Sequence, residues 1–281
     1  MTPAESQVAL QRERRRAEWT ERVERYARDA APQTRPFAEA LVTHLPPPVG
    51  GRALDVATGT GLVAAEAAKR VGPDGSVLAT DFLPAWKRFV HETATEAGVT
   101  NVTFAAMPAE ALDLPDGSFD VVYCQFGLMF VPEPVRALRE MRRVLRPGGR
   151  LGVAVWSVPE KVGIFLIPRI VAPALPPISG EAPPSPMSMG APGLIEELVA
   201  EAGFQDIVTD LVTISHEIDD PELAWRVWSE DTSTPAGAGL VSLSAGERQR
   251  LHDEVIAALE SFRAGGSVLV PSEAIVVTAV A

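Results

Sequence analysis

LDVATGTG, residues 54–61, is the stretch of this sequence that decides the fold. The apolar run 52–57 predicts a buried strand before the glycines, and the Ala-rich run 62–71 predicts a helix after them. Glycines at a strand-to-helix turn let the backbone bend tightly and let a ligand approach the chain. Because a helix N-terminus also presents unpaired N–H groups, this turn is expected to bind a ligand.

Strands and helices alternate on both sides of this turn. The pattern predicts strands at 52–57, 76–80, 102–105, 119–124 and 151–156, and helices at 62–71, 84–97 and 134–145. Such repeated units favour an α/β fold, in which a mostly parallel sheet carries helices on both faces. Farther along, further helices are predicted at 193–202, 221–228 and 245–262, and strands at 207–214 and 274–280.

Two ligand classes fit the turn. Residues 59–64, GTGLVA, match the G-x-G-x-x-A dinucleotide fingerprint. Asp81 follows at the position where an acid that binds ribose is expected. An NAD-linked oxidoreductase is therefore one interpretation. Asp55 argues against it, since a carboxylate there would face a pyrophosphate, and like charges in a partly buried site are costly. S-adenosylmethionine (SAM) carries an ammonium and a sulfonium, which suit Asp55, and a single carboxylate that N–H groups can hold.

Four motifs in order resemble those of the class I SAM-dependent methyltransferases that act on small molecules. They are residues 53–61, Thr80-Asp81, residues 108–120 (PAEALDLPDGSFD) and residues 138–149 (LREMRRVLRPGG). The strong resemblance covers about residues 50–157. It implies a Rossmann-like class I methyltransferase fold with a mostly parallel seven-stranded sheet and an antiparallel last strand. It also implies SAM as the cofactor.

The resemblance further implies a set of residues that bind the cofactor. Asp81 would accept hydrogen bonds from the ribose hydroxyls, and Phe82 or Trp86 would pack on adenine. Gln125 would lie near the methionine part, and Tyr26 in the N-terminal segment would close over the cofactor. The full set is Tyr26, Asp55, Ala57, Thr58, Gly59, Gly61, Asp81, Phe82, Trp86, Met107, Ala109, Glu110 and Gln125.

Two departures from the family pattern concern the cofactor site. Ala57 replaces the family's first glycine, which is tolerable if its φ angle stays negative. Pro108 stands where relatives often have an Asp that accepts from the adenine amino group. Backbone groups near Met107, Ala109 and Glu110 are therefore expected to read the base.

A third departure concerns the chemistry. Met129-Phe130 stands where relatives often have two histidines, so an apolar site is expected in which positioning of the reactants dominates. His216 and His252 are the candidates for a general base, and no other catalytic residue is assigned. Cys124 is not expected to act as a nucleophile, because buried cysteines are usually inert.

The sequence predicts an N-terminal helical segment at 1–45 and a methyltransferase domain at 46–281. Insertions at 158–190 and 219–265 are expected to form a lid over the substrate rather than a separate domain. The first is rich in proline and apolar residues, which predicts neither helix nor strand and favours a hydrophobic substrate. The predicted reaction is methyl transfer to an O, N or C atom of a small molecule. The alternative within this fold is a non-methylating reaction such as cyclisation.

Composition limits the partners and the location. The net charge of −12 argues against nucleic acid, and a single cysteine excludes a multi-cysteine zinc site, so no metal is expected. The N-terminus lacks the apolar core of a secretory signal, and the most apolar stretch, 162–178, is broken by prolines and Arg169. A cytoplasmic protein without a membrane span is expected, and homo-oligomerisation is left open.

Overall fold

The computed structural model describes residues 3–176, 185–231 and 235–281. The chain divides into two compact units. The first consists of the described residues within 1–156, 186–212 and 274–281, and the second of those within 157–185 and 213–273. Most of the described part of the two expected insertions belongs to the second unit, while residues 177–184 and 232–234 of those insertions lie outside the described residues.

The described residues form eight strands and ten α-helices. The strands are β1 (Arg52–Val56), β2 (Ser76–Asp81), β3 (Val102–Ala106), β4 (Phe119–Gln125), β5 (Leu145–Trp156), β6 (Gln205–Ile218), β7 (Arg263–Ala264) and β8 (Ser267–Val280). The helices are α1 (Pro3–Arg25), α2 (Ala31–His44), α3 (Leu62–Val71), α4 (Trp86–Glu96), α5 (Pro134–Val144), α6 (Leu166–Val171), α7 (Leu194–Glu201), α8 (Pro221–Glu230), α9 (Pro235–Val241) and α10 (Ala245–Glu260).

The strand order confirms the predicted fold. Within the described residues the sheet runs β3-β2-β1-β4-β5-β8-β6, and the two-residue β7 pairs with β8 off this path. β1 pairs in parallel with β2 and β4, β2 with β3, and β4 with β5, whereas β8 is antiparallel to β5. The predicted seven-stranded path with an antiparallel last strand is therefore confirmed, with β7 as an addition.

The sheet reverses its direction of progression between β1 and β4, and ligands of open α/β sheets bind at such a point, beyond the carboxyl ends of the strands. β1 lies in the middle of the sheet because Ala53, Leu54 and Val56 are all buried. α3 follows at once and buries seven of its ten residues. The glycine turn therefore lies between two elements that packing holds in place.

The N-terminal helices differ in detail from the prediction. The sequence predicts a second helix from about Pro36 to Leu45, but α2 begins at Ala31 and contains Pro36 in its interior. A five-residue π-helical turn, Tyr26–Ala30, joins α1 to α2. Pro36 removes one helical hydrogen bond, but the burial of Phe37 and Leu41 stabilises the helix around it.

The second unit has more regular structure than the sequence predicts. The expectation that the first insertion forms no helix is wrong, since α6 lies there with short 3-10 turns on either side. Pro168 is the third residue of α6, where a missing N–H breaks no helical bond. The sequence predicts a Gly/Ser/Pro-rich turn between the helices at 221–228 and 245–262, but this stretch contains the helix α9.

An apolar cluster gives this unit a core of its own, and its buried members are Leu166, Val171, Leu240, Leu251, Val255, Leu259, Val268 and Val270. None of the helices in the described ranges combines the length and apolar character that crossing a membrane requires.

Candidate cofactor-binding site

The glycine turn after β1 has an unusual backbone. Ala57, Gly59 and Gly61 all have positive φ angles, of 56°, 52° and 85°. The condition under which the sequence makes Ala57 tolerable, a negative φ, is therefore not met. A left-handed conformation costs an L-residue roughly 1–2 kcal/mol, so packing must hold Ala57 there. The partner is Gly127, where an added Cβ would collide with the Cβ of Ala57.

The two glycines of the turn serve different purposes. A Cβ at Gly61 would lie 3.1 Å from the Cα of Val90, so this glycine lets α3 pack closely on α4. A Cβ at Gly59 would meet only the ring of Tyr26, at 3.9 Å. Gly59 is partly exposed, and within the described residues the added Cβ would have no other atom that close, so a ligand can approach the backbone of Gly59 beside the Tyr26 ring. The N–H of Thr58 donates to the carbonyl of Thr80 over 2.9 Å and ties the turn to β2.

Asp55 is buried beneath the turn. Its Oδ2 accepts hydrogen bonds from the Thr58 hydroxyl at 2.5 Å and from the N–H of Ala64 at 3.0 Å. One carboxylate oxygen therefore joins the turn to the first residues of α3. Burial, and to a smaller extent the charge of Asp81, raise the pKa of the Asp55 carboxyl to about 7.

Asp81 ends β2 and is also buried. Its Oδ2 accepts from the N–H of Gly59 and its Oδ1 from the N–H of Leu83, both at 3.1 Å. Burial raises the pKa of this carboxyl to about 7 as well. Each carboxylate oxygen can accept about two hydrogen bonds, so both keep a lone pair for a hydroxyl donor. This arrangement fits the predicted contact with a ribose diol.

Four aromatic rings form a cluster beside the turn, and we call Trp19, Tyr26, Trp86 and Phe130 the aromatic cluster. Ring centroids are 5.6 Å apart for Trp19–Tyr26, 5.7 Å for Tyr26–Trp86 and 5.3 Å for Trp19–Phe130, all edge to face. Burial raises the pKa of the Tyr26 hydroxyl. The structure thus places Tyr26 and Trp86 next to each other, with Tyr26 over Gly59, and it adds Phe130 to them.

The segment after β3 lies beside Asp81. The N–H of Met107 donates to the carbonyl of Asp81 over 2.8 Å. This N–H is therefore already hydrogen-bonded and is poorly placed to donate to the base. Ala109 and Glu110 are both buried, and Phe82 is partly exposed next to Asp81. Of the three residues predicted to bind adenine, Met107 could therefore contact the base only through atoms other than its N–H.

Gln125 ends β4 and is part of the same edge of the sheet. Its Nε2 donates to the carbonyl of Thr34 over 3.3 Å, while its buried Oε1 has no hydrogen-bond partner among the described residues. A buried acceptor without a donor is costly, and an ammonium group of a ligand would satisfy it. The neighbouring Cys124 is fully buried, and burial raises the pKa of its thiol to about 12, as expected for an inert cysteine.

The two histidine candidates both belong to the second unit. His252 lies 2.8 Å from Oε2 of Glu222 and 2.9 Å from Oδ1 of Asp253, and hydrogen bonds to these carboxylates raise its pKa. This shift favours the protonated ring, which cannot accept a proton until it has lost its own. Burial instead lowers the pKa of His216, which favours the neutral ring that a base requires. The role of either histidine stays a prediction.

Comparison with known proteins agrees with this geometry. Residues 54–153 match the family model of the methyltransferase domain. Ubiquinone/menaquinone biosynthesis C-methyltransferase UbiE of Pasteurella multocida (strain Pm70) is 43% identical over 111 residues, which are 39% of this chain and 41% of that protein. The same enzyme of Yersinia pestis (strain Pestoides F) is 42% identical over 111 residues, 39% of this chain and 44% of that protein. The chain spans less than half the length of the curated relatives it matches.

The similarity of fold extends farther than that of sequence. A putative methyltransferase from Bacillus halodurans C-125 has a TM-score of 0.55 at 19% identity over 86% of this chain and 97% of that one. The [4+2]-cyclase SpnF has a TM-score of 0.54 at 19% identity over 87% and 80%. The fold is that of the Rossmann-like class I methyltransferases. Within that class of fold, residues 54–153 are similar to the methyltransferase domain described by the matching family model.

Proposed function

We propose that this chain is a SAM-dependent methyltransferase that transfers a methyl group to an O, N or C atom of a small, hydrophobic molecule. The observation that carries the proposal is the buried carboxylate of Asp81, which accepts a hydrogen bond from the N–H of the partly exposed Gly59. A buried acid next to a partly exposed glycine backbone suits a ligand that has hydroxyl groups and an anionic end.

Each part of SAM has a candidate binding partner among the residues of the site. Asp81 would accept from the ribose hydroxyls, and Phe82 and Trp86 would pack on adenine. N–H groups of the turn near Gly59 would hold the carboxylate, and Oε1 of Gln125 would accept from the ammonium. When bound, SAM supplies a methyl group on a sulfonium, which is already a good leaving group.

The contribution of the protein would then be alignment and the exclusion of water. The aromatic cluster covers the backbone at Gly59 through the ring of Tyr26 and presents apolar surface there. Met129 is buried and Phe130 packs on Trp19, so the positions that carry histidines in relatives are apolar here. A general base is needed only for an acceptor that must lose a proton. Burial lowers the pKa of His216 and so favours its neutral form, which makes His216 the better of the two candidates.

The two insertions are proposed as a cover for the substrate. Large apolar side chains are exposed in the second unit, among them Leu223, Val227, Val241 and Leu269. Exposed apolar surface of this kind usually has a partner, and a hydrophobic substrate would supply one. Protease cleavage tests this, because a cover should be cut more slowly when substrate and S-adenosylhomocysteine (SAH) are both present. Equal cleavage rates with and without the two ligands would contradict it.

Cytoplasmic location, homo-oligomerisation and the absence of nucleic-acid partners stay predictions.

Mass spectrometry with methyl-deuterated SAM tests the proposed reaction. Small hydrophobic phenols, quinols and amines would be incubated with the protein and the labelled cofactor. A product heavier than its acceptor by the labelled methyl group, together with an equal amount of SAH, is expected. A product of unchanged mass whose formation requires SAM would instead indicate a rearrangement such as cyclisation. Hydride transfer from or to a nicotinamide cofactor, without SAM binding, would contradict the proposal.

A further inference from the structure

We propose that Glu140 and Arg143 on α5 are positioning residues for the segment 107–110, and that through it they set the preference of the site for an adenine base. The proposal rests on the proposed function. Neither residue is among those that the sequence motifs assign to the cofactor, and neither is expected to touch it. The pair acts on the loop that follows the base-binding segment.

Arg143 makes a dense set of hydrogen bonds to that loop. Its guanidinium donates to the carbonyls of Leu112 and Leu114 at 2.8 and 2.7 Å. It also donates to Oδ1 of Asp116 at 2.6 Å, and to both carboxylate oxygens of Glu140 at 2.8 Å. Because the guanidinium is planar and rigid, these contacts fix the loop carbonyls in one geometry.

Glu140 completes the arrangement from the other side. Its Oε2 accepts from the N–H of Leu112 at 2.9 Å, so the backbone of Leu112 is held through both its N–H and its carbonyl. The hydrogen bond from Arg143 lowers the pKa of Glu140, so the carboxylate is charged at neutral pH. Charge-assisted bonds of this kind are roughly twice as strong as neutral ones.

The base-binding segment is therefore held at both ends. At its start, the N–H of Met107 donates to the carbonyl of Asp81 over 2.8 Å. Two residues past its end, Leu112 is fixed by Glu140 and Arg143. Only four residues lie between these two fixed points, and Ala109 and Glu110 among them are buried. Because this connection is so short, the position of Leu112 determines where the backbone that faces adenine can lie.

The same helix supplies a matched control. Arg139, one turn before Arg143, forms an exposed ion pair with Glu201 of α7 at 3.3 Å and makes no described contact with the loop. Replacing Arg139 or Arg143 by Gln removes one positive charge from α5 in each case. The two variants therefore differ in whether the loop 112–116 loses its anchor.

The test measures binding of SAH and of S-inosylhomocysteine, in which the adenine amino group is replaced by an oxygen. Wild-type protein is titrated first, and its failure to bind SAH would overturn the proposed function itself. Arg143→Gln is expected to weaken SAH binding by about tenfold and to reduce the ratio between the two dissociation constants. Arg139→Gln should leave both constants and their ratio unchanged.

Glu140→Gln is the second variant, because it keeps the contacts of Arg143 with the loop carbonyls and is the gentler change for folding. It should shift the ratio in the same direction, and it decides the question if Arg143→Gln does not fold. A folded variant with wild-type affinity and ratio would overturn the proposal. So would an equal loss of affinity for both ligands, since that would show a general structural role without selectivity for the base.

Discussion

The N–H of Gly59 donates to Oδ2 of Asp81 over 3.1 Å, so the turn after β1 and the acid that ends β2 form one connected site. Asp81 thereby has two roles, since it shapes the turn and offers its remaining lone pairs to a ligand. Asp55 supports the turn from below through Thr58 and Ala64. The site therefore contains two buried carboxylates, and a negative charge on one makes a negative charge on the other less favourable.

The affinity for SAH should depend on pH through these carboxyls. Their pKa of about 7 means that the free site is largely protonated below that pH. Ribose hydroxyls need a charged acceptor, so binding should release a proton and strengthen by up to about tenfold per pH unit until pH 7, then level off. Calorimetry from pH 5.5 to 8.5 measures this. Asp81→Asn should flatten the profile, and a flat profile in the wild type would argue against Asp81 as the acceptor.

The same carboxyls should make the ligand-free protein less stable as pH rises. Their pKa in the folded protein, about 7, lies above the ordinary value of 3.8, so folding favours the protonated form. The stabilisation is complete below about pH 4 and is lost as pH rises through 7, by at most about 1.4 kcal/mol per unit for each group. Urea unfolding of wild type and of the Asp55→Asn/Asp81→Asn double variant should show this difference. A difference that does not change between pH 4.5 and 7 would refute the assigned direction.

Gly127→Ala should destabilise the protein through Ala57. The backbone of Gly127 has a negative φ of −100°, so the cost comes from the collision of the two Cβ atoms and from Cys124 Sγ at 3.3 Å. Overpacking of this kind costs about 1–3 kcal/mol of unfolding free energy. Ala57→Gly should restore much of the loss in the double variant, as measured by urea denaturation.

Gly246→Ala is the control, because an added Cβ there meets nothing within 4 Å and the residue lies in α10. Its effect should be neutral or slightly stabilising. If Gly127→Ala is as harmless as Gly246→Ala, or if Ala57→Gly gives no rescue, the contact between Ala57 and Gly127 does not hold the turn.

Tyr26→Ala should weaken SAH binding, because it removes the ring that covers Gly59 and contacts Trp19 and Trp86. Losing a packed aromatic ring is expected to cost about tenfold or more in the dissociation constant. Tyr26→Phe keeps the ring and should bind within about threefold of the wild type. Equal affinity for Tyr26→Ala and Tyr26→Phe would show that the ring does not cover the cofactor.

Local pattern was sufficient to predict the alternating strands and helices around the glycine turn of the first unit. α3 runs from Leu62 to Val71 as the sequence predicts, because an Ala-rich apolar run ends there at a glycine. The ends of β2 and β4, and hence the positions of Asp81 and Gln125, follow from apolar runs that stop at a polar residue. These elements depend mostly on neighbours in sequence, so a single chain contains the necessary signal.

The features that the sequence did not predict depend on distant contacts. The positive φ of Ala57 requires the space left by Gly127, seventy residues later. α2 continues through Pro36 because Phe37 and Leu41 are buried against other elements. The anchoring of Leu112 by α5 likewise appears only when loop and helix are brought together.

Calorimetric titration of Asp81→Asn with SAH tests the central claim most directly. The substitution keeps the size of the side chain and replaces the charged acceptor by an amide. Losing about 3 kcal/mol of hydrogen bonding to two hydroxyls should raise the dissociation constant by about two decades, while thermal unfolding shows an intact fold. A folded Asp81→Asn protein that binds SAH as tightly as the wild type would contradict the account. A wild-type protein that binds NAD tightly and SAH not at all would contradict it equally.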